Sequence, residues 1–356
     1  NEMPQAASAH DTFWDFVSLM PESAHMVMWT MSDRALPRSL RMMEGFGVHT
    51  FKFVNAAGKG IFFIFHWKPR LGVHQVAWNE AQKISGFDAD FHRRDLWENI
   101  DKGNFPQWDL GVQLIPEEDE FKYSFDILDP TKFIPEEVIP VKIIGTMTLN
   151  RNPDNFFAET EQIAFDPGRL VPGIDVSNDP LLQGRVFSYA DTQNYRLGGP
   201  NFHEFPINRS VNGKHNNQKD GTGRQDILKG NVSYFPNSLA NGCPYHAMLQ
   251  GEKGFESHEE KVDASKVRKR SSSFADHFTQ ARLFFNSQSP EEQEHIVNAY
   301  SFELSKVKPV DIRTRELAIL NQIDGKLATK VGNNLGLTPP ASLDELTLKF
   351  ARNNHP

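Results

Sequence analysis

Between Phe46 and Asn150 the apolar residues fall into short runs rather than long stripes. Phe46–Val54, Ile61–Trp67, Trp108–Ile115 and Val141–Leu149 are rich in the aromatic and β-branched residues that suit a pleated, half-buried surface, and Phe121–Ile127 is a weaker fifth run. In the first of them Val48, Thr50 and Lys52 alternate with His49, Phe51 and Phe53, the two-residue period of a strand covered on one face. The polar, glycine-containing stretch Asn55 to Gly60 reads as a hairpin connection. Asn79–Lys83 and Phe91–Lys102, between the second and third runs, read as helical. The set predicts an antiparallel sheet or part of a barrel.

From Arg151 to about Lys261 the pattern dissolves into Asn, Pro and Gly, with one clear exception. Residues 180–197 form a predicted helix, opened by Asp179-Pro180 (a capping acid and a proline at the first helical position) and closed by Gly198-Gly199-Pro200. A long irregular segment inside a folded protein is usually functional or interwoven with a partner chain. Beyond Phe274, Pro290–Tyr300, Asp311–Gln322 and Gly325–Asn333 read as successive helices.

Composition narrows the function classes. The chain has 356 residues, with 38 Lys and Arg against 46 Asp and Glu, a formal net charge of -8. That balance argues against nucleic acid as a partner, since phosphate binding calls for excess cationic side chains. The cationic cluster Lys266 to Arg270 reads as a solvated surface or linker. Ile61–Trp67, the longest apolar run, is interrupted by His66 and far too short to cross a bilayer, and no leader is visible, so neither a membrane nor a secretory route is expected. Cys243 is the only cysteine, which excludes an intrachain disulfide and suits a reducing, cytoplasmic location. Asn208-Arg209-Ser210 and Asn231-Val232-Ser233 match glycosylation sequons that nothing else in the chain supports.

The helix 180–197 carries the candidate chemistry. Arg185 and Tyr189 lie four residues apart on one face, and Arg196 follows on the same face roughly 10.5 Å further along the axis, at 1.5 Å per residue. One reading is an arginine stacked on an exposed tyrosine. The other is an arginine holding Tyr189 as a phenolate, a strong ligand for ferric iron, with Arg196 placed for a porphyrin carboxylate.

The residues 185–209, RVFSYADTQNYRLGGPNFHEFPINR, closely resemble the proximal haem-ligand motif of the monofunctional haem catalases. Further segments resemble the same family in the same order: PQAASAHDTFWDFVSLMPESAH (4–25), RMMEGFGVHTFKFVN (41–55), RNPDNFFAETEQIAFDPGRLVPGIDVSNDPLLQGR (151–185) and SQSPEEQEHIVNAYSFELSKV (287–307). The resemblance implies an α+β fold with an antiparallel β-barrel, of which this chain holds the second half. It implies three parts: a partial barrel with inserted helices over 1–150, a wrapping loop over 151–265 that contains the ligand helix, and a helical domain over 266–356. By position it makes Tyr189 the iron ligand, Arg185 its hydrogen-bonding partner, Arg196 the haem-propionate arginine and Phe165 a haem-pocket aromatic. His25 and Asp179 match a proximal relay with Arg185, although Asp179 is also the expected helix cap and His25 read alone would be a structural histidine. The implied cofactor is haem, as iron protoporphyrin or a modified form. The implied reaction is disproportionation of hydrogen peroxide, and the implied assembly is a homotetramer.

Two departures qualify the resemblance. Family members carry the distal histidine and asparagine in segments preceding the one that 4–25 resembles, so this chain is expected to supply the proximal half of the site. Thr131 to Pro140, TKFIPEEVIP, stands where small-subunit catalases have a tryptophan-proline-histidine segment for NADPH. Glu136 and Glu137 are poor neighbours for a phosphorylated nucleotide, so NADPH is not expected, and the wording resembles the large-subunit group. Two other classes stay open: a haem-binding relative without efficient peroxide turnover, and a tyrosinate-haem enzyme acting on lipid hydroperoxides, which the match through the helical part disfavours.

Overall fold

The computed structural model describes residues 10–211, 218–227 and 271–343, with a few isolated positions between 229 and 269. Cys243, Asn231 and both ends of the 266–270 cationic cluster lie outside the described residues.

Among the described residues six strands make one antiparallel sheet: β1 (Gly45–Phe46), β2 (Phe51–Val54), β3 (Gly60–Pro69), β4 (Gln107–Pro116), β5 (Lys142–Thr148) and β6 (Ile174–Val176). Their order is β5-β4-β3-β2-β6, with β1 also on β3. The β2–β3 hairpin turns on Asn55, whose Oδ1 accepts from the amides of Ala57 and Lys59 at 3.0 and 2.9 Å, and on Gly58 at φ 75°. Fold class is therefore α+β with an antiparallel sheet, and among the described residues the sheet does not close into a barrel: β5 and β6 are its two edges. Phe121–Ile127 forms turns and bends instead of a strand. Ile127 is nevertheless buried, in a small core under the sheet with Phe62, Ile64 and Ile115.

The run Phe46–Val54 is one strand by its pattern and two in the structure. β1 pairs with Trp67 and His66 of β3, β2 pairs with Phe63 to Gly60, and residues 47–50 between them leave the ladder. The break releases His49 and Thr50 from strand alternation, and both are buried. β6 then adds to the outer side of β2, with Phe51 opposite Val176 and Lys52 opposite Asp175.

The helices are α1 (His10–Leu19), α2 (Ala24–Thr30), α3 (Trp78–Phe87), α4 (Phe91–Asp101), α5 (Pro180–Leu197), α6 (Thr279–Ser287), α7 (Pro290–Leu304), α8 (Val310–Ile323) and α9 (Gly325–Leu335). Local sequence explains the ends of several. Ser289 and Glu292 form a reciprocal capping box ahead of Pro290, and Asp324 caps α9 through the amides of Lys326 and Leu327. The largest core joins both ends of the chain: Trp14, Val17 and Met28 from α1 and α2 pack with Phe284, Ile296, Leu304, Leu317 and Leu327 from the C-terminal helices. Residues 10–30 thus pack mainly with the C-terminal helices, although Trp29 also meets Phe46 of β1 edge to face, ring centroids 5.9 Å apart.

Candidate functional site

α5 is placed by its first residues. β6 ends at Val176 beside the start of β2, and the chain then passes the break between β1 and β2. There Ser177 donates its hydroxyl to the Thr50 carbonyl, and Thr50 donates its own to the Ile127 carbonyl at 2.7 Å. Asp179 follows, 1 % exposed. Its Oδ1 accepts from the amides of Leu181 and Leu182 at 2.8 and 3.1 Å, satisfying orphan donors of the first turn. Its Oδ2 bonds His49 Nδ1 at 2.6 Å, and His49 Nε2 bonds Arg185 Nη1 at 2.8 Å. The protons can be assigned along this row. A guanidinium only donates, so His49 Nε2 accepts, which leaves the ring proton on Nδ1 to be donated to Asp179.

The place between Asp179 and Arg185 that was expected of His25 is therefore taken by His49. His25 lies elsewhere, its Nδ1 2.8 Å from the Thr131 carbonyl oxygen and its Nε2 accepting from Trp29 Nε1 at 3.1 Å. Burial holds its pKa below the usual histidine value, although the Thr131 carbonyl works in the opposite direction. It borders a cavity of ≈ 560 Å³ that Trp29, Phe46, Phe133 and His66 also line. No local signal separated the two, since His25 and His49 each lie in a segment that carried the family resemblance.

Arg185, Tyr189 and Arg196 share one face of an unbroken α5, which ends where Gly198 takes the left-handed conformation at φ 82°. Tyr189 is 36 % exposed. Arg185 turns to His49 and makes no hydrogen bond to Tyr189 among the described residues. Arg196 donates through Nη1 to the Glu161 carbonyl at 2.5 Å, through Nη2 to the Ile163 carbonyl, and through Nε and Nη2 to Gln193 Oε1 at 3.2 and 2.7 Å. Phe165 stands 73 % exposed, its carbonyl accepting from Gln193 Nε2 at 2.8 Å.

This donor set suits a haem. It offers an accessible phenol that can ligate iron as its anion, an arginine braced by a buried histidine–carboxylate pair one turn away, a second arginine for a carboxylate and a bare aromatic ring for a porphyrin face. Among the described residues no group of three His, Cys, Asp or Glu side chains is arranged to hold a metal ion, and no helix is long and apolar enough to cross a membrane.

Comparison with known proteins points the same way. The family model "Catalase" matches residues 1–241, and "Catalase-related immune-responsive" matches residues 271–335. The chain is 64% identical over 342 residues to Catalase HPII of Pseudomonas putida, covering 96% of this chain and 48% of that protein. It is 62% identical over 341 residues to Catalase-2 of Bacillus subtilis, covering 96% and 50%. It is 56% identical over 339 residues to Catalase-B of Dictyostelium discoideum, covering 95% and 49%. The chain spans about half the length of the curated relatives it matches.

Proposed function

This chain belongs to the catalase family, and on that premise we propose that it supplies the proximal side of a haem site that converts two molecules of hydrogen peroxide to two of water and one of oxygen. The observation that carries the reading is the Asp179–His49–Arg185 row on the helix that presents Tyr189. Bound haem iron supplies the two-electron redox chemistry by which one peroxide is reduced and the next oxidised. Tyr189 is the ligand to that iron. Arg185, braced from behind by His49 and Asp179, keeps its guanidinium one turn from the phenol. Arg196 provides the carboxylate partner and Phe165 the aromatic wall. The proton-moving base that peroxide cleavage requires comes from the distal segments that family members carry.

Three further parts of the reading follow the family and the chain's own chemistry. The sheet edges β5 and β6 are continued by further strands into a barrel. NADPH is not expected as a cofactor, because Glu136 and Glu137 place negative charge where a phosphorylated nucleotide would need cations. The assembly is a homotetramer in the cytoplasm, consistent with the long irregular segment and the single cysteine.

The test is oxygen release on adding peroxide to the full-length protein, with the absorption spectrum as a second readout. A tyrosinate-ligated ferric haem spectrum with oxygen evolution is expected. Haem binding without oxygen would reduce the reading to a haem-binding relative, and turnover of a lipid hydroperoxide in its place would replace it. Sedimentation at micromolar concentration tests the tetramer, and a monomer there would end it.

A further inference from the structure

Residues 161–165 leave a π-helical turn that ends at Glu161 and run past α5 without a strand partner, and side chains hold four of their carbonyls and one amide. Arg196 takes the carbonyls of Glu161 and Ile163. Asn208 takes the Gln162 carbonyl through Nδ2 at 2.8 Å and the Ala164 amide through Oδ1 at 2.8 Å. Gln193 takes the Phe165 carbonyl at 2.8 Å. Five successive residues are thus fastened by three side chains, as a neighbouring strand would fasten them, and the segment ends in the exposed ring of Phe165.

Gln193 is the junction of this arrangement. It is 4 % exposed on a helix whose residues are mostly uncovered. Its amide hydrogen holds Phe165, while its Oε1 accepts two hydrogens of Arg196. A guanidinium has five N–H donors. Nε uses one, Nη2 uses both of its own and Nη1 uses one, which leaves a single Nη1 hydrogen without a partner among the described residues.

We propose that Gln193 is a positioning residue that locks Arg196 to the Phe165 segment and thereby orients the one spare Arg196 donor toward an incoming carboxylate. Gln193 touches no ligand itself. It acts by completing the hold on the guanidinium that the Glu161 and Ile163 carbonyls begin, fixing Nε and the second Nη2 hydrogen, so the carboxylate meets a single aimed N–H. This deepens the haem reading and rests on it, since the carboxylate is a porphyrin propionate.

The test compares binding of haem with binding of its dimethyl ester, which keeps the iron and the ring but has no carboxylate, in the full-length apoprotein. In the unaltered protein haem is expected to bind at least about tenfold more tightly than the ester, the scale of one charge-assisted hydrogen bond. In Gln193→Met the ratio falls to within about twofold of unity, while the absorption of the tyrosinate–iron bond persists. Gln193→His, whose neutral ring still offers one acceptor and one donor, keeps most of the ratio and serves should the methionine variant not fold. An unchanged ratio in Gln193→Met, or a ratio lost equally in a folded Gln193→His, overturns the proposal. If haem and its ester bind equally to the unaltered protein, the assignment of Arg196 itself fails, a different result from failure of Gln193.

Discussion

Around α5 a few polar side chains are buried while several large aromatic rings face outward, whereas in the helical core the apolar side chains are the sealed ones. Asp179, His49 and Gln193 are buried with named partners, while Phe165 and Phe187 stand 73 % and 79 % exposed. In the helical core Ile296, Leu304, Leu317 and Leu327 are sealed, and the buried carboxyl of Glu316 has an Oε2 with no partner. The first region spends its hydrogen bonds on holding chemistry in place and leaves apolar surface for a ligand or another surface to cover. The second spends apolar area on stability and tolerates one unpaired acid, whose burial pushes its pKa up to about 8. Tyr300, itself fully buried, is pushed well above the usual tyrosine value chiefly by burial and further by Glu316.

Breaking the site should leave the core intact, and the largest effect is expected there. Tyr189→Phe removes the only oxygen proposed to meet iron, so haem content should fall at least about tenfold with the circular dichroism unchanged. A variant that purifies with full haem would end the assignment of Tyr189.

The core should in turn reveal its buried, unpaired acid through pH. An unfolded glutamate titrates near 4.3, while folded Glu316 keeps its proton to about 8, so across that window the folded state binds more protons and loses stability as pH rises. The contribution is complete below the unfolded value and gone above the folded one, and the shift corresponds to about 3–5 kcal/mol. Urea midpoints at several pH values should decline for the unaltered protein relative to Glu316→Gln. Parallel curves would show that Glu316 is ionised or hydrated in the core.

Leu304→Ala should cost about 3 kcal/mol in the same unfolding experiment, by opening a cavity in a fully sealed position. Haem content per folded molecule should not change, because α7 contributes nothing to the α5 site; a parallel loss of haem would erase the distinction between the two regions. Asp179→Ala sharpens the comparison from the other side. It removes a helix cap, worth about 1 kcal/mol, and strands the His49 donor. The expected loss is about 2 kcal/mol, with weaker haem retention, and an effect on stability alone would reduce Asp179 to its cap.

Local signals carried much of this molecule. The helix over 180–197 is legible because Asp179-Pro180 and Gly198 are physical start and stop devices, and the spacing of Arg185, Tyr189 and Arg196 then follows from helix geometry. The strands from Gly60 to Thr148 are legible because aromatic and β-branched residues cluster there. β6 was not, since three residues within a loop-rich segment form a strand only by pairing with β2. Phe121–Ile127 misled for the complementary reason: its apolar residues fill a core from a turn.

Residue types and their local spacing determined the helix, its candidate ligand and the family to which the chain belongs. Tertiary structure alone decided which histidine stands behind Arg185. His25 and His49 are equally plausible as isolated letters, but a two-sided relay requires a ring whose two nitrogens face Asp179 and Arg185 together. The break between β1 and β2 and the pairing of β6 bring His49 to that place. The same holds for the core that joins α1 and α2 to helices at the far end of the chain. Contacts between distant segments depend on where the backbone has already been carried, and no local pattern of side chains encodes that.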